Sequence, residues 1–175
     1  VHGEGLRARR ALDEARDTIR ASLNVTRGDV IFTSGGTEAN RLALLGTVGS
    51  KQAEIAAEPE RSWNVVISNV EHPSVSMIAE YGATLGVETR WAANDGQGRV
   101  RVDELAALVD RDTLIVSVQT VNNELGTIQP LAELVPAVRA RKRGVFIRTD
   151  AVQGYLRVPL DPVALGIDLV SVSAH

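Results

Sequence analysis

Five short polar clusters in this sequence carry the residue types that bind and activate small molecules. Most of them directly follow an apolar run that we predict to be a strand. The clusters are Ser34-Gly35-Gly36-Thr37, His72-Pro73, Asn122-Asn123, Asp150-Ala151-Val152-Gln153 and Ser173-Ala174-His175. In parallel α/β sheets, ligands bind beyond the carboxyl ends of the strands, so clusters placed there point to one shared site.

The cluster Ser34-Gly35-Gly36-Thr37 could bind a phosphate group. Glycines allow several backbone N–H groups to converge, the start of the next helix carries partial positive charge, and Thr37 adds a hydroxyl. Ser173 and His175 could supply further donors to the same phosphate. The turn is not a Walker loop, because the Gly-Lys-Ser/Thr ending is missing. Taken alone, the pattern is more typical of a tight turn that Thr37 caps.

The remaining clusters suit a flat, charged ring. His72 could stack on such a ring and transfer a proton near neutral pH. Asp150 could pair with a protonated pyridine nitrogen, and so let the ring act as an electron sink. Asn123 could donate to a ring oxygen or to a substrate carboxylate. Each residue also has a structural interpretation, as a helix cap, a surface side chain or part of a turn, but one phosphorylated pyridine accounts for all of them.

Helices and strands are predicted to alternate along the chain. Apolar runs predict strands over residues 30–32, 65–67, 87–91, 114–118, 145–150 and 167–172. Apolar residues at helical spacing predict helices over residues 6–23, 37–45, 73–81 and 131–138, and one capped by Asp103 that carries Leu105, Leu108 and Val109. Short buried strands between helices indicate an α/β fold with a mostly parallel sheet.

The composition is that of an ordinary globular domain, with 44% hydrophobic and 23% charged residues in 175. The net charge of −3 disfavours nucleic-acid binding. The absence of cysteine excludes disulfides and thiolate metal sites, and it fits a cytoplasmic protein; we expect no metal site. No apolar run approaches the ~20 residues of a membrane span. The basic run at 139–143 is interpreted as a helix C-terminus.

These clusters, in this order, resemble the cysteine desulfurases, which are class V aminotransferase-type enzymes of the PLP-dependent transferase fold type I. The resemblance spans essentially the whole chain. It is carried by Ser34-Gly35-Gly36-Thr37-Glu38-Ala39-Asn40, Glu71-His72-Pro73-Ser74-Val75, Val121-Asn122-Asn123-Glu124-Leu125-Gly126-Thr127-Ile128-Gln129-Pro130, Asp150-Ala151-Val152-Gln153-Gly154 and Ser171-Val172-Ser173-Ala174-His175. The Asn-Asn-Glu-Leu-Gly run and the Ser-Ala-His run are the most specific of these motifs.

The resemblance implies a three-layer α/β/α fold, a pyridoxal 5'-phosphate (PLP) cofactor and a role for each candidate residue. The residues that would bind the phosphate of PLP are Gly36, Thr37, Ser173 and His175. His72 would stack on the pyridine ring and act catalytically in proton transfer, and Asp150 would pair with the ring nitrogen. Gln153 would hydrogen-bond the phenolic oxygen, and Asn123 would lie near the cofactor and the substrate carboxylate.

The implied reaction removes sulfur from L-cysteine, leaving L-alanine and an enzyme persulfide. The sulfur would pass to an acceptor protein for iron–sulfur cluster or thio-cofactor assembly, and the enzyme would be a cytoplasmic homodimer. Selenocysteine lyase, another class V enzyme or a non-catalytic PLP-fold scaffold are alternatives. A nucleotide-binding domain is a less favoured alternative, because it leaves Asp150, Gln153 and His72 without a role.

Two departures from the family pattern bear on domain organisation. In the family a lysine directly follows the Ser-x-His motif and a nucleophilic cysteine lies further on. Here the only lysines are Lys51 and Lys142, and neither fits that role. We therefore expect residues 1–175 to be a fragment of the PLP-binding large domain. The N-terminal segment, the Schiff-base lysine and a C-terminal small domain would lie outside it.

Overall fold

The computed structural model describes residues 3–174, apart from the side chains of residues 79 and 80. Five strands form one sheet, and every neighbouring pair is parallel. The strands are β1 (Asn64–Ser68), β2 (Glu88–Ala92), β3 (Thr113–Ser117), β4 (Phe146–Asp150) and β5 (Leu169–Ser171). They lie in the order β2-β1-β3-β4-β5, so the direction of winding reverses between β1 and β3.

Eight helices are defined within the described residues. They are α1 (Gly3–Ser22), α2 (Gly36–Ser50), α3 (Gln52–Ala57), α4 (Pro73–Ser76), α5 (Ile78–Thr84), α6 (Val102–Leu108), α7 (Leu131–Arg141) and α8 (Pro162–Leu165). None of the helices within residues 3–174 combines the length and the apolar character needed to cross a membrane.

Side chains alternate between the two faces of the sheet, and each face packs against its own helices. Val66, Val116 and Ile147 are in register across β1, β3 and β4 and pack with α6 and α7. On the opposite face, Ile67 and Ile115 pack with α2, α3, α4 and α5. The predicted three-layer α/β/α arrangement with a parallel sheet is therefore confirmed.

The strand predicted over residues 30–32 is wrong. This segment has no regular secondary structure, and the exposed fractions of Ile31 and Phe32 are 69% and 46%. Apolar and β-branched residues favour a strand only where a neighbouring strand supplies hydrogen bonds and packing. No described strand pairs with this segment. The first polar cluster therefore precedes a helix without following a strand.

Three smaller predictions are corrected by the tertiary packing. Helix α2 continues past Gly46, because the next turn buries Thr47 and Val48 and so offsets the low helix propensity of glycine. The helix predicted over residues 73–81 divides into α4 and α5 at Met77. Asp103 does not cap α6; it lies in the first turn, where its charge complements the helix dipole.

Candidate functional site

A cavity of about 200 Å³ opens at the carboxyl ends of β1, β3 and β4. This is the point where the strand order reverses, which is where parallel α/β sheets bind ligands. Six of the eight predicted site residues line it, namely Gly36, Thr37, His72, Asn123, Asp150 and Gln153. Ser173 follows β5 at the same edge of the sheet but is not part of the cavity lining. His175 lies outside the described residues.

The start of α2 forms one wall of the cavity. The first backbone N–H groups of a helix have no intrahelical acceptor, so this wall presents donors suited to an anion. A side chain at Gly36 would place its Cβ 3.0 Å from Val152 Cγ2, so glycine permits this close approach. Glu38 accepts a hydrogen bond from the Ser34 backbone N–H at 2.6 Å, which lowers the pKa of its carboxyl and fixes the turn.

His72 caps α4 with its own ring. Nδ1 accepts a hydrogen bond from the Ser74 backbone N–H at 3.1 Å and lies 2.8 Å from Ser74 Oγ. An acceptor at Nδ1 places the proton of the neutral imidazole on Nε2. His72 can therefore both cap α4 and act in the cavity, because the cap leaves the proton on Nε2.

Asp150 ends β4 at the base of the cavity, where it is 6% exposed. Oδ2 accepts a hydrogen bond from Asn40 Nδ2 at 2.6 Å, and Oδ1 accepts one from the Val152 backbone N–H at 3.0 Å. A guanidinium nitrogen of Arg148 lies 3.6 Å from Oδ2. These two donors and the nearby guanidinium hold the carboxylate of Asp150 in a fixed orientation.

Arg148 is completely buried directly behind this carboxylate. It donates to Ser117 Oγ and Ser171 Oγ, each at 3.0 Å, and also to Asn40 Oδ1. Its Nη1 lies 3.7 Å from Glu71 Oε2, and both side chains are fully inaccessible to solvent. A buried guanidinium therefore lies between two carboxylates, one of which faces the cavity.

The two adjacent asparagines have different positions. Asn122 is buried, donates to the Val70 carbonyl at 2.9 Å and accepts from the backbone N–H of Leu125 at 2.7 Å. It therefore holds the turn that Gly126 completes with a φ of 71°. Asn123 is exposed and lines the cavity. The turn interpretation therefore holds for Asn122, whereas Asn123 is available for a ligand.

Neither lysine lines the cavity. Lys51 pairs with Glu54 at 2.7 Å. Lys142 donates to the carbonyl of Thr113 at 2.8 Å, at the amino end of β3. The basic run at 139–143 covers the last turn of α7 and its C-terminal end, as expected from its sequence.

Sequence reasoning missed four polar residues at or beneath the site: Asn40, Ser74, Gln119 and Arg148. The sequence spacing of two of these residues could have indicated their position. Asn40 lies four residues after Gly36, which places both on one face of α2. Arg148 lies two residues before Asp150, so both point to the same face of β4 although the strand is otherwise mostly buried.

We predict that the stability of the protein falls as pH rises from about 5 to 7. Burial raises the pKa of the Glu71 carboxyl from 4.5 to about 7, against the opposing effect of Arg148. Between these values the folded protein holds a proton that the unfolded chain has released, so rising pH favours unfolding. The expected loss between pH 5 and pH 7 is about 2 kcal/mol, measured by urea unfolding at both pH values.

Glu71→Gln tests the origin of that dependence, because glutamine has the shape of the protonated acid and does not titrate. The variant should be almost equally stable at pH 5 and pH 7. Glu54→Gln serves as the control, since Glu54 is half exposed in its pair with Lys51. A Glu71→Gln protein that keeps the full pH dependence would place its source elsewhere.

The chain belongs to the aminotransferase class-V family, whose family model matches residues 1–175. It is 34% identical over its full length to the cysteine desulfurase IscS of Dictyoglomus turgidum, and covers 42% of that protein. It is 32% identical to the mitochondrial cysteine desulfurase of Candida albicans, of which it covers 34%. The chain therefore spans less than half the length of these relatives.

Solved structures show the same likeness. A NifS-like protein superimposes with a TM-score of 0.88 at 31% identity, over 100% of this chain and 46% of the other. DndA from Streptomyces lividans gives a TM-score of 0.82 at 35% identity, over 98% of this chain and 46% of DndA. The resemblance to class V cysteine desulfurases is confirmed by these comparisons.

The residues of the cavity fit PLP, the cofactor of this family. A helix N-terminus suited to an anion and a buried, oriented carboxylate border the same cavity. These are the two groups that a phosphorylated pyridine with a protonated nitrogen requires. One histidine, four side-chain amides and two hydroxyls supply the remaining polar groups of the lining.

Proposed function

We propose that the protein containing this chain is a PLP-dependent cysteine desulfurase, which removes sulfur from L-cysteine to give L-alanine and an enzyme persulfide. The observation that carries the proposal is the position of Asp150 and the start of α2 on one cavity. Similarity along the whole chain to cysteine desulfurases supports the choice of reaction. Residues 1–175 would be the PLP-binding part of the large domain of a longer protein.

Bound PLP would supply the electron sink for negative charge at the substrate's α-carbon. Asp150 would pair with the protonated ring nitrogen, because hydrogen bonds from Asn40 and from the Val152 backbone N–H already orient its carboxylate. The backbone at Gly36 and the hydroxyl of Thr37 would bind the phosphate. Ser173, which follows β5, would contribute to the same phosphate, and His175 would do so as well.

His72 would stack on the pyridine ring and also transfer a proton. Its ring stands on the wall of the cavity with Nδ1 held by Ser74, so Nε2 is the nitrogen free to exchange a proton with substrate. Asn123 would bind near the substrate carboxylate. Gln153, whose Oε1 accepts from Arg157 at 3.0 Å, would donate its amide N–H to the phenolic oxygen.

A sulfur-acceptor protein, a homodimer and a cytoplasmic location complete the proposal. The acceptor follows from the reaction, because a persulfide must pass its sulfur on. The absence of cysteine from residues 1–175 fits a reducing compartment. Similar proteins include mitochondrial enzymes, so cell fractionation is the test of location.

The experiment is to supply the full-length protein with PLP and then with L-cysteine. It should be yellow, with an absorbance band near ~420 nm that borohydride removes, as expected for PLP held by a lysine. In the presence of a thiol reductant it should release alanine and sulfide in equal amounts. A colourless protein would refute the proposal. Turnover of L-selenocysteine but not L-cysteine would instead support the selenocysteine lyase alternative.

A further inference from the structure

A hydrogen-bond network beneath the cavity connects two residues to which the proposed function gives separate tasks. Ser74 contacts His72 Nδ1, and Asn40 Nδ2 donates to both Ser74 Oγ and Asp150 Oδ2. Asn40 is 1% exposed, so water does not compete for these bonds. We propose that Asn40 is a positioning residue which, through this network, fixes the orientation of Asp150 and of His72. The inference rests on the proposed function.

The orientation of the Asn40 amide is determined by its neighbours. Its two N–H groups face two acceptors, Ser74 Oγ at 2.8 Å and Asp150 Oδ2 at 2.6 Å. Its oxygen faces the guanidinium of Arg148, which donates to it. The reversed amide would place N–H groups against a cation and an oxygen against a carboxylate, and both contacts are repulsive. Arg148 therefore holds Asn40 as a donor to Asp150.

This orientation has a consequence for each end of the network. Ser74 Oγ already accepts from Asn40, so its own hydrogen is directed to His72 Nδ1 at 2.8 Å. The proton of a neutral His72 then lies on Nε2. At the other end, Asn40 holds one oxygen of Asp150 while the backbone N–H of Val152 holds the other. The remaining acceptor capacity of that carboxylate is directed to the cavity.

Asn40→Ala in the full-length protein tests the Asp150 end through binding. Affinity is measured for PLP and for its carbocyclic analogue, in which carbon replaces the ring nitrogen. All other contacts are common to the two ligands, so the ratio of the two affinities reports the interaction with the nitrogen. We expect Asn40→Ala to lower that ratio by about tenfold, which is the effect of one charge-assisted hydrogen bond.

Asn64→Ala is the matched control. Asn64 is also buried, donates to an aspartate, Asp110, at 3.0 Å, and lies at the start of β1, away from the cavity. The Asn64→Ala variant should be less stable than wild type but keep the wild-type ratio of the two affinities. If Asn40→Ala does not fold, Asn40→Leu fills the same space without a donor and should give the same lowered ratio. A wild-type ratio in the Asn40 variant that folds would overturn the inference.

The His72 end is tested on the unmodified protein by ¹⁵N NMR of its histidines, with His72→Gln to assign the signal. We expect Nδ1 without a proton and Nε2 with one; a proton on Nδ1 would overturn the inference. The two proposals fail separately. Wild-type protein that does not prefer PLP over the analogue refutes the proposed role of Asp150. Wild-type preference that survives the loss of Asn40 refutes only the positioning role.

Discussion

Replacing Asp150 with alanine should reduce turnover of L-cysteine by the full-length protein by at least about 10³-fold, while part of the PLP remains bound. The carboxylate would set the charge on the ring and would not tether it, so its loss should affect kcat far more than cofactor content. Turnover is measured as alanine release, and bound PLP by absorbance after denaturation.

Asp168→Ala is the control for this prediction. Asp168 directly precedes β5, at the amino ends of β4 and β5, where it accepts from the Ile147 backbone N–H and from Arg139, each at 2.7 Å. Its loss should lower stability and leave turnover of the folded protein near wild type. Equal activity in the Asp150 and Asp168 variants would contradict the assigned role.

The second large effect is expected from Arg148→Met, which should destabilise the protein by about 3–5 kcal/mol. The substitution leaves Glu71 and Asp150 buried without a cation, and it removes the donors to Ser117, Ser171 and Asn40. The loss should be greater at pH 8 than at pH 5, because Glu71 takes up a proton as pH falls through about 7. Urea unfolding at both pH values measures it.

Two comparisons make that result specific to the buried charges. Arg101→Met removes an ion pair with Glu104 that is about half exposed on both sides, so it should cost no more than about 1 kcal/mol. Adding Glu71→Gln to Arg148→Met should recover part of the stability at pH 8, since one unpaired charge is removed. An Arg148→Met protein as stable as Arg101→Met would show that the buried cation contributes little.

The sheet could be predicted from the sequence because its strands are short apolar runs between helices. The cavity could be predicted because parallel strands bring their carboxyl ends to one edge, so residues as distant along the chain as His72 and Asp150 meet there. The strand prediction at residues 30–32 failed because no partner strand within the described residues lies beside this segment. An apolar run indicates a strand, but pairing depends on a partner that the pattern does not specify.

The network beneath the cavity could not be predicted for a related reason. Asn40 and Arg148 are 108 residues apart, and their contact exists only because α2 packs across the end of β4. A charged residue in a buried strand was the available signal. It indicates that a partner must exist, since an unpaired buried charge is costly, but it does not identify that partner.

The most direct test of the central claim is a crystal structure of the full-length protein with PLP bound. We predict that the pyridine nitrogen lies about 2.6–3.2 Å from a carboxylate oxygen of Asp150, with the phosphate at the start of α2 beside Gly36 and Thr37. A ring nitrogen that contacts another group, or a phosphate bound away from the start of α2, would contradict this account.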